Sequence, residues 1–470
     1  MVRRTTSPRY RKKYVKLSIS RLRRNSLIRA VFEMERLGMD LHGLTVHDPV
    51  YGTFQLPPYI HAVVSTVEFS RLKHLKQLGV SNVIFETALH TRYDHSLGAC
   101  YLAERLLHQV NKTLDKPITK DERKCVLLAA VLHDLGHGPF SHLWEKFVEA
   151  YGVPWRHERS SEELARSMLD CMEDISEKQT NLICALIRGN ASALLDPDRQ
   201  FMTQIVSSDV DVDRCDYLQR DGHSVPGILE PCRPFRQLFD RVRTVTVWGK
   251  VLLAYHWADF PLVFEMACAR QTFHRRCYQH PKVLGAELMM LDVMHEAERA
   301  GFRFERNGQS EKLSKIHGKP DLFKYLDDNI MAELASSNLP RLERAKAIIS
   351  RLQNKHLYEE IIRFSVDMTE EVKKFNGQQG ESIVVQAVRS IKSAHQWFSS
   401  FNVIFYKPGT DGGIDIVSLE EARDLNETVT CESVDEIEEY IIYCTSTDPV
   451  VVQNARQHFT NLLNGTTTGS

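Results

Sequence analysis

The chain has 470 residues, a formal net charge of −1, 43% apolar residues and 26% charged residues. That is an ordinary globular composition, with ample material for a core and length for one large or two to three ordinary domains. The near-zero balance makes no molecule-wide electrostatic case for nucleic acid or membrane, and no apolar segment reaches bilayer-spanning length, so no membrane partner is expected. The N-terminus lacks the apolar h-region of a secretory signal. The ten cysteines are scattered without a CxxC pair, which reads as reduced thiols of an intracellular protein and argues against a cysteine-type zinc site.

Residues 1–40 form a basic arm with no acid before Glu33, and disorder is expected there. Such an arm is a solvated tail, a nuclear-import signal or a contact for single-stranded nucleic acid. It supports a nuclear and/or cytoplasmic location. Residues 41–364 are mostly helical in pattern. VVSTVEFSRLKHLKQLG, CYLAERLLHQVNKTL and KCVLLAAVLHDL carry apolar residues at helical spacing, as do DLFKYLDDNIMAELA and RLERAKAIISRLQNKHLY. HDPVYGTFQLPP and SVPGILEPCRPF read as loops. Residues 365–470 change texture. NVIFYKPGTDGGIDIVSL reads as two strands around a Gly-rich turn, and VVVQNARQHFTNLL closes as a helix. The expected fold is therefore mainly α, a helical core with a small α+β C-terminal lobe.

Chemistry concentrates in VLHDLGHGPFSH, residues 131–142, where His133 and Asp134 follow an apolar run. Imidazole nitrogen beside carboxylate oxygen suits Zn, Mn or Fe. Further ligands are expected from other elements. HTRYDHSLG supplies His95 with Arg92 nearby, and SSDVDVDRCDYLQRD supplies Asp211, Asp213, Asp216 and Asp221. His, His-Asp and Asp in that order form the spaced pattern of an HD-type metal site, and a metal so held activates water and braces phosphate oxygen. An HD dipeptide alone is weak; the three segments together are specific. Gly136 and Gly138 end the helix near His137 and place it at a pocket lip, suited to general acid or base work; His157 is a second candidate. His142 reads as a core histidine. Arg92, Arg214 and Arg270 suit phosphate.

These segments, with KQLG at Lys76–Gly79 and FHRRCYQH at Phe273–His280, resemble the animal SAM-and-HD-domain deoxynucleoside triphosphate (dNTP) triphosphohydrolases, from about Val46 to near the C-terminus. The SAM module of that family is not expected here; the basic arm stands in its place. The resemblance implies an HD-domain fold and a metal-dependent hydrolase that splits a dNTP into deoxynucleoside and inorganic triphosphate. It implies His95, His133, Asp134 and Asp213 as ligands of a divalent metal, with Mn, Fe, Zn and Mg all compatible. It implies His137 and His157 as proton-transfer groups supported by Glu145, and Arg92, Arg214 and Arg270 as phosphate contacts. Gln77, Leu78, Tyr217, Asp221 and Tyr278 would line the sugar, and Tyr278 would reject a 2′-hydroxyl. The resemblance also implies a homo-oligomer assembled by a GTP or dGTP effector. That effector site departs from the family pattern. Leu44 and Ser65 stand where the family has Lys and Asp, and Ala258 where it has Lys, although Arg71 and Lys73 remain. A serine cannot offer guanine N1–H and N2–H the paired acceptors of a carboxylate, so altered or absent GTP activation is expected. Two rival readings are an HD phosphodiesterase or nucleotidase acting on another phosphate ester, and a protein that only binds nucleotide or nucleic acid.

Overall fold

The computed structural model describes residues 43–466 apart from 173, 230–233, 411–412 and 427–434. The basic arm over residues 1–40, where disorder is expected, lies outside the described residues. Among the described residues the chain is mainly α, with small sheets, the two larger of which draw strands from the C-terminal part.

The helical core begins where the sequence supplies caps. Thr91 opens the Arg92–Val110 helix with a capping box closed by Asp94, and Thr119 opens Lys120–Leu132 in the same way with Glu122. Each box satisfies two of the amide donors that a helix start leaves orphaned. The second helix is apolar from Cys125 to Leu132, and every one of those residues is buried. It packs between Arg92–Val110 and Glu177–Ile187, while Val212–Ser224 packs on the other side of Arg92–Val110. A helix apolar all round is the one placed centrally. Its C-terminal end, where His133 and Asp134 follow, is therefore held rigidly inside the core.

Three segments depart from the sequence reading. HDPVYGTFQLPP is not a plain loop: Leu44–Asp48 and Gly52–Leu56 pair as an antiparallel hairpin. The Asp48 carboxylate accepts the Val50 and Tyr51 amides across the turn, an Asx arrangement easily mistaken for loop chemistry. VVSTVEFSRLKHLKQLG breaks into Pro58–Val64, Val67–Ser70 and a 3₁₀ turn over Arg71–His74, because Thr66 caps a new helix start by accepting the Phe69 amide. DLFKYLDDNIMAELA splits into Pro320–Phe323 and Ile330–Ser336. Between them Asp328 turns inward and accepts the amides of Lys76 and Phe140.

The two strands around the Gly-rich turn are Ile404–Pro408 and Ile414–Val417. They extend the Arg243–Val247 and Lys250–His256 hairpin into a four-stranded sheet, joined by parallel pairing of Ala254 with Ile404. A three-stranded antiparallel sheet takes Glu359–Phe364, Ile437–Cys444 and Val384–Ile391 in that spatial order. Both sheets draw strands from either side of residue 365. The closing helix is Pro449–Thr466. Among the described residues no helix is long and apolar enough to cross a membrane. Seven of the cysteines are free thiols, but Cys268 is disulfide-bonded, which corrects the reading of all ten as reduced. Spacing along the chain carries no information on which cysteines the fold brings together.

Candidate active site

His95 lies in the first turn of Arg92–Val110, His133 caps the end of Lys120–Leu132 with Asp134 after it, and Asp213 lies in the first turn of Val212–Ser224. Ligand atoms of His95, His133 and Asp134 lie within 4.8 Å of one another. Asp213 joins through Oδ1, 3.0 Å from His95 Nε2 and 3.5 Å from His133 Nε2. The remaining edges are His95 Nε2 to Asp134 Oδ2 at 3.6 Å and His133 Nε2 to Asp134 Oδ1 at 3.5 Å. Donors about 2.1 Å from one cation stand about 3.0–3.5 Å from each other, so these edges fit a single divalent ion.

The tautomers make the case chemically. His95 Nδ1 lies 2.7 Å from the Asp216 carboxylate, and His133 Nδ1 lies 2.9 Å from the Ala130 carbonyl. Both partners are acceptors, so both Nδ1 atoms carry hydrogen and both Nε2 atoms are turned into the cluster. The two Nε2 atoms stand 3.1 Å apart, where a proton or a metal ion shared with the flanking carboxylates satisfies them. Burial opposes charge on His95, yet Asp213, Asp216 and Asp134 outweigh it and raise its pKa to about 10. His133 is raised for the same reason, and Asp134, also buried, is held well below the usual carboxylate range by Arg92 and His133. The pocket is built for positive charge.

A second cluster adjoins the first through Asp134, whose Oδ1 is 3.3 Å from His137 Nε2. His137 is buried and stacks on His157 with ring centroids 3.9 Å apart. Burial, Arg92 and His157 push its pKa well below the ordinary histidine value, which keeps it neutral. Glu145 accepts from His157 Nδ1 at 2.7 Å and from His142 Nδ1 at 3.2 Å. Burial opposes the Glu145 charge, but His142 and His157 hold its carboxyl far below the usual range. His142 is thus not a core residue: its side chain is 69% exposed and its ring meets those of His137 and His157 edge-on.

Of the residues expected to line the sugar, several bond to one another or lie beside this cluster. Tyr278 donates to Asp221 Oδ2, and His90 Nε2 lies 2.7 Å from Asp221 Oδ1. Gln77 and Leu78 follow Lys76, whose carbonyl accepts from Ser141 at 2.7 Å. The Gln77 Oε1 and His137 Nδ1 atoms are buried without a partner within the protein. Buried polar atoms of that kind are costly, and a bound ligand is one way to satisfy them. Arg92 donates to Ser141 Oγ at 2.9 Å and to Asp134. The other two arginines are already engaged. Arg214 donates to Asp211 at 2.6 Å and to the Ser208 carbonyl, and Arg270 donates to Tyr217 at 2.8 Å while lying 3.6 Å over the Trp397 ring.

Sequence reasoning passed over His90, Ser141, Arg220 and His142 as parts of this site. All four lie in the segments it had quoted.

An HD domain matches residues 92–221. The chain is 26% identical over 460 residues to the deoxynucleoside triphosphate triphosphohydrolase SAMHD1 of Gallus gallus, covering 88% of this chain and 74% of that protein. It is 29% identical over 366 residues to the SAMHD1 homolog of Dictyostelium discoideum, covering 73% and 67%. It is 28% identical over 456 residues to the protein of the same name from Bos taurus, covering 88% and 77%.

Proposed function

We infer that the chain, a member of the HD-domain deoxynucleoside triphosphate triphosphohydrolase family, hydrolyses dNTPs to deoxynucleoside and inorganic triphosphate with a divalent metal bound at His95, His133, Asp134 and Asp213. The observation that carries the metal is the convergence of the His95 and His133 Nε2 atoms, 3.1 Å apart, on the Asp134 and Asp213 carboxylates. When bound, the ion supplies a Lewis acid for an α-phosphate oxygen and lowers the pKa of its water. Mn, Fe, Zn and Mg all suit two imidazoles and two carboxylates.

The chain's own residues do the rest. Arg92 lies beside Asp134 and faces developing phosphate charge. His137, kept neutral, is poised to take a proton. His142 and His157 share the Glu145 carboxylate and are arranged to deliver a proton to the departing 5′ oxygen. Asp221, held by His90 and Tyr278, faces the sugar with Gln77 and Leu78. Arg214, Tyr217 and Arg270 serve the phosphates and sugar once their present partners yield.

The guanine-nucleotide switch is altered or absent in this reading. Ser65 spends its hydroxyl on the His61 carbonyl at 2.8 Å. Arg71 is buried and donates to the carbonyls of Leu135, His137 and Leu326, so it braces the HD loop rather than an effector. Lys73 lies 4.6 Å over the Tyr93 ring. We also propose a homo-oligomer, a nuclear or cytoplasmic location, and contact of the 1–40 arm with single-stranded nucleic acid.

The test incubates the purified protein with each dNTP, with and without GTP, in Mn²⁺ or Mg²⁺. A His133→Ala/Asp134→Ala variant serves as the blank. Deoxynucleoside plus intact triphosphate, lost in the blank, is expected, at a rate indifferent to GTP. Stepwise phosphate loss would assign a nucleotidase, and tight nucleotide binding without turnover would assign a binding protein.

A further inference from the structure

A line of charged side chains runs from the N-terminal hairpin to the metal-ligating His95. Asp48 closes the hairpin turn, its Oδ1 accepting the Val50 and Tyr51 amides at 2.8 and 2.9 Å. Its other oxygen, Oδ2, stands 2.9 Å from Arg220 Nη1, an ion pair rather than an aligned hydrogen bond. Arg220, 1% exposed, grips Asp216 with two parallel bonds from Nε and Nη2, each 2.9 Å. Asp216 in turn accepts from His95 Nδ1 at 2.7 Å.

The surrounding fold is shaped around this line. Asp216 and Arg220 are four residues apart on Val212–Ser224, so they share one helical face. The facing helix carries glycine at position 98. A Cβ there would come within 1.9 Å of Asp216 Oδ1 and 2.3 Å of Arg220 Nη2. Asp48, by contrast, lies outside residues 92–221, the stretch that matches the HD domain.

We propose that Asp48 is a positioning residue for the metal centre: by sharing the charge of Arg220, it leaves Asp216 free to orient and polarise His95. The inference rests on the reading that His95 binds a divalent cation. Two effects act with the same sign. With Asp48 present, one guanidinium is divided between two carboxylates. Without it, the whole charge falls on Asp216, which then pulls less on the His95 Nδ1–H, and Nε2 becomes a poorer donor. The second effect is net charge. Within this connected cluster Asp48 and Asp216 pair with Arg220, Asp134 pairs with Arg92, and Asp213 lies against His95. Four negatives against two positives leave a deficit that a divalent ion matches, and removal of Asp48 halves it.

Asp48→Asn separates the two jobs of this carboxylate, because the amide oxygen still closes the turn while the charge facing Arg220 is lost. The measurement is the Mn²⁺ dissociation constant of the full chain by chelator competition, with thermal melts of the metal-free form beside it. Losing a group that hydrogen-bonds a metal-ligating histidine weakens metal binding by about 10–100-fold, and Asp48 reaches His95 only through Arg220 and Asp216, so a loss of about 3- to 10-fold is expected. Asp48→Glu keeps the charge and is expected to recover most of the affinity. Equal affinity in the wild type and the Asn variant overturns the proposal. So does an equal loss in both variants, which would assign the effect to turn shape. Arg220→Lys reads the same relay if the Asn variant does not fold: it keeps the buried charge but loses the two-bond grip, and unchanged Mn²⁺ binding there is equally fatal. A wild-type protein that binds no divalent ion would instead sink the metal reading itself.

Discussion

Replacing Glu145 with glutamine tests the second histidine cluster without touching the first. The side chain is 12% exposed and bonds to His157, His142 and Arg156 rather than to any of the four proposed metal ligands. Glutamine keeps the shape and one acceptor oxygen but loses the charge. A hydrogen bond to a charged group contributes about 1.5–3 kcal/mol, which converts to about a 10- to 150-fold fall in kcat if the bond is at full strength only while an imidazolium is present. Burial works against the Glu145 charge, but His142 and His157 together hold its carboxyl far below the usual range, so it stays ionised across the neutral range and the fall is expected at every neutral pH. Metal content and KM stay as in the wild type. The assay is steady-state dNTP hydrolysis across the neutral range, with metal analysis of the same samples. An unchanged kcat would refute the proton-transfer role, and loss of metal would show that the two clusters are not separable.

Three further outcomes follow from the same geometry. Burial raises the Asp328 carboxyl from 3.8 to about 6, so its contribution to stability is complete below the unfolded value and is lost as pH climbs through 6. That loss is about 3 kcal/mol, and Asp328→Asn should remove this slope from urea midpoints compared below pH 4 and above pH 6. Gly98→Ala drives a methyl group into the Asp216–Arg220 pair, and breaking a buried pair costs about 3–5 kcal/mol; an unaltered melting temperature would contradict the packing. Chelation should lower the melting temperature, because an ion at about a hundredfold over its dissociation constant stabilises the fold by about 2.7 kcal/mol, and added Mn²⁺ should reverse the shift.

What could be read in the chain depended on range. Thr91 with Asp94 and Thr119 with Glu122 announce helix starts within four residues, and the helices lie there. His133–Asp134 stands out because a charged pair follows an unbroken apolar run. The Asp211–Asp221 segment was visible as a set of acids, but choosing among them was not a local problem. Asp211 caps its helix, Asp213 faces the imidazoles, Asp216 supports one imidazole from behind and Asp221 bonds Tyr278 and His90. Helical phase alone does not separate those roles. His142 was misjudged for a related reason. Phe140, Leu143 and Trp144 around it are apolar, but Phe140 and Ser141 both take positive φ, and that kink turns His142 outward. The roles of Asp48, Arg71 and Asp328 were illegible, because each acts on a partner far along the chain. Asp328 reaches Phe140 across 188 residues and Arg71 reaches Leu326 across 255.

The parallel pairing of Ala254 with Ile404 has a consequence for the newborn chain. The Arg243–Val247 and Lys250–His256 hairpin is complete as soon as it emerges, yet its inner strand must wait some 150 residues for the strand that covers its open edge. At about 5–20 residues per second of synthesis, that edge stays bare for roughly 8–30 s. Leu252, Leu253 and Tyr255 lie on it, so the interval is one of exposure to other nascent chains. Truncations ending before residue 404 should therefore aggregate through this strand, even though they retain every residue of the metal centre.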